Sequence, residues 1–197
     1  PIFIKAEGLA GNLEAAGALH LELRAKYPRF RRLYDTAYYR MAAELAEQGM
    51  TEEAKTAYRT LLGHGFRSGG GRLPITAAGD AHLFLGDLEA ARAAYRRAIE
   101  VRPRDFAPYD KLNKTYLERD DLQGLLEEWE RAVATSPSCA LAHFCLGVAR
   151  QRLYQLDGAI DSYRRALRLD PSGQGTRYCL ARALVIRGNQ HLEAGGL

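Results

Sequence analysis

Residues 86–171 repeat one pattern three times: GDLEAARAAYRRAIEVRP (86–103), DDLQGLLEEWERAVATSP (120–137) and YQLDGAIDSYRRALRLDP (154–171). Each copy starts 34 residues after the previous one. Equivalent positions hold a leucine, an alanine or leucine, an aromatic residue, an alanine, an aliphatic residue and a proline: Leu88, Leu122 and Leu156; Ala91, Leu125 and Ala159; Tyr95, Trp129 and Tyr163; Ala98, Ala132 and Ala166; Ile99, Val133 and Leu167; Pro103, Pro137 and Pro171. Six columns at one fixed period indicate a repeated structural unit.

Each unit reads as two helices joined by a turn. The columns above give the second helix an apolar face at helical spacing, and the proline stops that helix. A further 34-residue column, Gly79, Asn113, Gly147 and Ala181, lies in the preceding helix. A 34-residue helix–turn–helix unit with small residues, an aromatic residue and a closing proline resembles the tetratricopeptide repeat (TPR) family.

The resemblance implies an all-α fold, a right-handed superhelical solenoid of antiparallel helix hairpins that acts as a scaffold for protein interactions. Aligning outward from the clear copies divides the chain into six segments. They are a partial repeat, mainly a second helix, at 1–34; a degenerate repeat with a glycine-rich loop at 35–71; repeats at 72–105, 106–139 and 140–173; and a partial repeat, a first helix and tail, at 174–197.

The same scheme predicts local details. We expect the degenerate repeat to begin with a helix near 35–48, and Thr51 to cap the helix that follows. The next repeat should open with a helix from Leu73 to Leu85 that has Pro74 in its first turn. In the last segment, a helix over 174–187 should end where Gly188-Asn189 opens a turn.

Both ends of the chain are apolar, with Ile2-Phe3-Ile4 near one end and Leu184-Val185-Ile186 near the other. Solenoid ends need polar caps, because each repeat covers the apolar face of its neighbour. We therefore expect either that the chain is part of a longer repeat protein or that a partner subunit covers its ends. Self-association through these ends is one alternative function.

Composition narrows the class of protein. The hydrophobic fraction of 47% and the charged fraction of 26% are typical of a soluble globular chain. No run of 18 apolar residues occurs, so we expect no membrane span. The first residues lack a secretory signal, which favours a cytoplasmic location, but a mature or excised fragment would lack one as well, so the compartment stays open.

The sequence offers no catalytic or metal-binding constellation. Cys139, Cys145 and Cys179 form no C-x-x-C pair, and the five histidines show no metal-ligand spacing. The segment GHGFRSGGGR at 63–72 is rich in glycine, but no Lys-Ser/Thr follows its glycines and no strand precedes it, so it reads as a mobile loop between repeats. We expect no enzymatic activity, no cofactor and no metal.

The resemblance also implies which residues bind a partner, because first helices of successive repeats line the concave groove of the family. Carried over position by position, the candidate groove residues are Tyr39, Thr76, Asp80, Asp110, Lys114, Phe144, Val148, Gln151, Tyr178 and Arg182, with Arg152 at the edge. Their types predict a groove that is acidic in its middle and aromatic and basic towards its C-terminal end.

Aromatic and arginine side chains are the usual anchors of protein interfaces. We therefore expect a partner peptide to place an apolar anchor near Phe144 and Tyr178 and an acidic group on Arg182. The alternative is that some of these aromatic residues pack on neighbouring repeats. RNA binding is a rival function, because related helical repeats read bases, but Asp80 and Asp110 would repel a phosphate backbone and disfavour it.

Overall fold

Antiparallel helices make up all the regular structure of the part of the chain that the computed structural model describes, residues 12–66 and 74–195. In chain order they are α1 (Leu13–Lys26), α2 (Arg31–Glu47), α3 (Thr51–Gly63), α4 (Ala77–Phe84), α5 (Leu88–Val101), α6 (Phe106–Leu117), α7 (Leu122–Thr135), α8 (Ala140–Arg152), α9 (Leu156–Leu169) and α10 (Gln174–Gly195), with a short 3-10 helix (Pro28–Phe30) before α2. The predicted all-α fold of helix hairpins is confirmed.

The second helices form because their apolar columns fall on one face. In α5, the fully buried side chains include Ala91 and Tyr95, four residues apart. Aspartates cap two of these helices: the Asp87 side chain accepts a hydrogen bond from the Ala90 amide, and Asp121 accepts one from the Gly124 amide at 2.9 Å, whereas Gln155 makes no side-chain capping bond at the start of α9. The starts of α5, α7 and α9, at Leu88, Leu122 and Leu156, thus follow the 34-residue period.

The chain divides into two compact units, Pro1–Val101 and Arg102–Leu197. In the described part of the N-terminal unit, α1 to α5 enclose a core whose largest fully buried members are Tyr38, Met41, Leu45 and Leu61, each at most 1% exposed. In the C-terminal unit, α8, α9 and α10 enclose a cluster of Ala159, Ile160, Tyr163 and Ala183. Ala159 and Tyr163 of the C-terminal core belong to the repeated columns of the second helices.

One column sets the close approach of the two helices in each hairpin. A Cβ atom on Gly147 would lie 2.5 Å from Cε1 of Tyr163, and one on Gly79 would collide with Tyr95. Asn113 departs from the small residue of this column, but its Oδ1 accepts a 2.7 Å hydrogen bond from Nε1 of Trp129. In all three hairpins, therefore, this position of the first helix contacts the aromatic residue of the second.

Three predicted details at helix starts are wrong. Helix α2 begins at Arg31, four residues before the expected start near 35. Thr51 is the first helical residue of α3, and the capping residue is Met50, whose side chain makes no capping bond. Helix α4 begins only at Ala77, so Pro74 precedes the helix instead of lying in its first turn.

The turn expected at Gly188-Asn189 is also wrong, because α10 continues through both residues to Gly195. The residues that would form the buried face of a second helix are polar here. Gln190 stands where the earlier copies have Leu88, Leu122 and Leu156, and Glu193 stands where they have Ala91, Leu125 and Ala159. Without an apolar face after the turn, a second helix has nothing to bury, and the helix propagates instead.

Some expectations fall outside the described residues. These are the part of the first partial repeat that precedes residue 12, with the apolar residues Ile2-Phe3-Ile4, and the loop prediction for 67–72.

Candidate functional site

The candidate groove residues of the N-terminal unit are engaged by that unit's own side chains. The Tyr39 ring, half-buried on α2, lies 5.9 Å from the Tyr58 ring and 6.2 Å from the Phe66 ring. Thr76 is only 4% exposed. Its hydroxyl donates a 2.8 Å hydrogen bond to Asp80.

The Asp80 carboxylate connects these elements. Its Oδ1 accepts a 2.9 Å hydrogen bond from the Tyr95 hydroxyl, while Oδ2 accepts the bond from Thr76. Burial, followed by the negative charge of Asp80, raises the pKa of Tyr39 well above its ordinary value and that of Tyr58 to about 12. Asp80 therefore acts as an acceptor within a set of neutral hydroxyls.

In the C-terminal unit, Asp110 and Lys114 form an ion pair one helical turn apart on α6, with 2.8 Å between the Asp110 carboxylate and the Lys114 ammonium. The hydrogen bond and the charge of Asp110 raise the pKa of Lys114. Because each charge meets its opposite, this part of the predicted acidic middle is largely neutralised.

Phe144 and Val148 lie half-buried on α8, at the border of the α8–α9–α10 cluster. The Phe144 ring meets the Phe106 ring edge-on at a centroid distance of 6.0 Å and the Tyr163 ring at the same distance. Part of Phe144 thus packs against its own unit, as the alternative interpretation anticipates, while the rest of the ring remains accessible.

Gln151 joins α8, α9 and α10 through one amide group. With its amide oxygen turned towards α10, it accepts hydrogen bonds from Nη2 and Nε of Arg182 at 3.0 and 3.2 Å, and its nitrogen donates to the Tyr163 hydroxyl at 2.8 Å. This orientation gives every polar atom a suitable partner. In this orientation, the Gln151 amide oxygen lies within hydrogen-bonding distance of the Arg182 guanidinium, which stays exposed at the surface.

The remaining candidates of this unit are open to solvent. Tyr178 on α10 is 67% exposed, Arg182 is exposed despite its bonds to Gln151, and Arg152 is exposed at the end of α8. An exposed tyrosine and a positioned arginine are groups that can bind an apolar and an acidic side chain.

Two aromatic residues of this unit were missed in the sequence. Phe106, the first residue of α6, is 46% exposed and extends the aromatic surface of Phe144. Tyr154 is 80% exposed and has a φ of 58° in the α8–α9 turn, where the same column holds Gly86. Because this turn position holds Gly86 and Asp120 in the preceding copies, the change to an aromatic residue was a signal that the sequence already carried.

Other chemistries find no support in the described residues. They contain no cluster of three or more His, Cys, Asp or Glu side chains placed to hold a metal ion. None of the helices in these same residues is both long and apolar enough to cross a membrane.

Comparison with protein families finds three stretches that match tetratricopeptide repeat models: residues 36–64, 75–105 and 140–172. No curated protein sequence gives a significant match.

Several solved structures are similar. MamA from Desulfovibrio magneticus is 23% identical over 82% of this chain and 89% of that chain, with a TM-score of 0.49. YrrB, a TPR protein with an unusual peptide-binding site, is 20% identical over 89% of this chain and 87% of that chain, with a TM-score of 0.46. The first TPR domain of human RPAP3 is 22% identical over 58% of this chain and 93% of that chain, with a TM-score of 0.43.

Proposed function

Because this chain belongs to the tetratricopeptide repeat family, we propose that it is a protein-interaction scaffold that binds a peptide segment on the first helices of its C-terminal unit. The binding surface comprises Phe144, Val148, Tyr178 and Arg182. The segment supplies an apolar side chain for the aromatic residues and a carboxylate for the guanidinium.

The observation that carries this choice is the contrast between the two units. In the N-terminal unit, Thr76 is buried and Tyr39 lies within an aromatic cluster. In the C-terminal unit, Tyr178 keeps 67% of its surface exposed, and Arg182 is exposed as well. Hot-spot residues of interfaces are commonly aromatic residues and arginines that a partner can desolvate, so the second set is the better anchor.

Arg182 gives the surface its preference for an acid. Since Gln151 accepts from Nε and Nη2, the guanidinium is preorganised, and a carboxylate binds it with less loss of side-chain entropy. An exposed ion pair adds little affinity by itself. The apolar contact with Phe144 and Tyr178 therefore supplies most of the binding energy, and Arg182 supplies selectivity.

A random peptide library displayed on phage tests this function without knowledge of the natural partner. We expect peptides selected on the wild-type chain to combine an aromatic or aliphatic residue with Asp or Glu. Arg182→Ala and Tyr178→Ala should each weaken binding of the selected peptides about ten-fold. Both side chains are exposed, so these variants should keep the wild-type circular dichroism spectrum.

Arg164→Ala is the matched control, since Arg164 is an exposed arginine of the same unit on α9. It should bind the selected peptides like the wild type. Selected peptides without acidic residues, or equal binding to Arg182→Ala and the wild type, would contradict the proposed function.

A further inference from the structure

Helix α10 carries an exposed apolar stripe, of which the proposed function uses only Tyr178. Tyr178, Val185 and Leu192 are 67%, 62% and 75% exposed, and Ala181 and Gly188 between them are exposed too. The spacing alternates between three and four residues, so all five positions share one face of the helix. The opposite side of α10 includes Ala183, which is fully buried in the α8–α9–α10 cluster.

The chain itself indicates what fits this stripe. Ala181 belongs to the column of Gly79, Asn113 and Gly147, and each of those three residues contacts the aromatic residue of a second helix. Those partners, Tyr95, Trp129 and Tyr163, are at most 1% exposed. Among the described residues, the stripe on α10 thus repeats a surface that is covered by a second helix in three other places.

The partner surface in those interfaces has a constant chemistry. Each is an amphipathic helix with a small or aliphatic residue four positions before the aromatic residue: Ala91 before Tyr95, Leu125 before Trp129 and Ala159 before Tyr163. The aromatic ring lies over the small residue of the first helix and fills the space between the two helices. In a helix, residues four positions apart are close neighbours on one side, whereas in a strand they lie about 13 Å apart.

Charge further defines the occupant. From Gln174 to Leu192, α10 has no Asp or Glu, whereas Arg177 and Arg182 flank the stripe on its two sides and are both exposed. A helix that brings carboxylates to its edges would meet complementary charge on both sides.

We propose that the stripe of α10 binds an amphipathic helix of a partner protein, with acidic edges and an aromatic residue that packs over Ala181 as Tyr163 packs over Gly147. This inference rests on the proposed function in one respect, that the partner is a protein. It adds that the bound segment is helical and that it covers Ala181 and Val185.

Peptides copied from the chain's own second helices are suitable probes. A peptide of residues 121–135 contains Leu125 and Trp129 and carries four carboxylates and one arginine among its side chains. A peptide of residues 87–101 contains Ala91 and Tyr95 but balances three carboxylates with three arginines. With both ends blocked and a fluorescent label attached, their binding is measured by anisotropy.

We expect the 121–135 peptide to bind the wild-type chain more tightly than the 87–101 peptide, with a difference that shrinks at high salt because of screening. Trp129→Ala in the peptide should weaken binding about ten-fold, since the aromatic anchor is lost. In the protein, Ala181→Glu and, as a second variant, Val185→Glu should each weaken binding by about the same factor, because each places a carboxylate on the interface.

Gln190→Glu is the matched control. It adds the same charge to an exposed position on the opposite side of α10, and it should bind the peptide like the wild type. Binding that is unchanged by Ala181→Glu and Val185→Glu, or no binding of the peptide to the wild type, would overturn the inference.

Two further outcomes distinguish a partner helix on the stripe from a second copy of the chain and from a peptide at Phe144. If light scattering shows a wild-type dimer that Ala181→Glu dissociates, while the peptide does not bind, then a second copy covers the stripe and the inference is wrong. If Phe144→Ala abolishes binding of the library-selected peptides but leaves the 121–135 peptide bound, the two sites are separable, and each stands or falls on its own variants.

Discussion

Single residues in this chain depart from the repeat pattern where local chemistry compensates. Asn113 replaces a glycine between two helices and is retained because Trp129 donates to its side chain. His20 on α1 is fully buried, with its ring stacked on that of Tyr38 at 4.6 Å. Such positions carry polar groups into the core, where their protonation is linked to folding.

His20 makes the stability of the N-terminal unit depend on pH. Burial, followed by the positive charges of Arg24 and His64, lowers its pKa from 6.5 to about 4. The unfolded chain therefore binds a proton more readily than the folded chain between these values, and stability falls as pH decreases from 6.5 to 4. Over this pH range, the lowered pKa of His20 decreases the free energy of unfolding by an amount on the order of 3 kcal/mol.

Asp35 opposes this effect. Its Oδ1 lies 3.4 Å from Nε2 of His20 and 3.3 Å from Nε of Arg24, and burial raises its pKa despite the lowering charges of Arg24 and Arg31. The folded chain holds the Asp35 proton more firmly, so this carboxyl stabilises the fold at low pH and loses that contribution as pH rises through its raised pKa. Thermal unfolding followed by circular dichroism from pH 7 to pH 4 measures the sum.

We expect His20→Phe to lose less thermal stability than the wild type on acidification, because the ring still stacks on Tyr38 but no longer titrates. Asp35→Asn isolates the opposing contribution and should lose more stability than the wild type as the pH falls. If the melting temperatures of the wild type and His20→Phe fall by the same amount between pH 7 and pH 4, His20 does not control the pH dependence.

Pairs of helices are the level at which the repeat is built. Each hairpin needs a small residue, or one bonded as Asn113 is, where the aromatic residue of its second helix crosses the first. On α10, which no second helix of the described residues covers, the same column holds an exposed alanine, Ala181. The requirement for a small residue thus arises from packing, not from the backbone conformation.

Gly147→Ala tests this packing requirement. The new Cβ would lie 2.5 Å from the Tyr163 ring, so α8 and α9 must separate. Overpacking of this kind decreases the free energy of unfolding by about 1–3 kcal/mol, which urea denaturation measures.

Gly188→Ala is the control, because nothing lies within 4 Å of its Cβ position on α10. Alanine in a helix stabilises the fold by about 0.5–1 kcal/mol relative to glycine. Equal effects of the two substitutions would contradict the packing requirement.

At the scale of the molecule, the sequence predicts what is periodic and misses what is local. The 34-residue columns are sufficient to predict the hairpins and nearly every second helix, because burial enforces them in each copy. They fail at Gly188, since a turn glycine does not create a turn unless an apolar second helix follows. The columns also do not show which side chains bond to each other. The ion pair of Asp110 with Lys114 and the hydrogen bonds of Gln151 with Arg182 are therefore seen only in the structure.

The candidate site is likewise predictable from the sequence only in part. Repeat positions identify the residues of the first helices, but identical positions have different environments in the two units. Thr76 and Tyr178 occupy the same column, yet the first is 4% and the second 67% exposed. Neighbouring side chains determine this exposure, and these neighbours differ between copies of the repeat.

If a partner peptide binds the first helices of the C-terminal unit, its contacts will be confined to a few residues of those helices. Amide chemical-shift mapping by NMR, during titration with the tightest peptide selected from the random library, tests it most directly. We expect the largest shifts at Phe144, Val148, Gln151, Tyr178 and Arg182, and small shifts around Tyr39 and Asp80. Shifts centred on Tyr39 and Asp80, or spread evenly over both units, would contradict peptide binding at the first helices of the C-terminal unit.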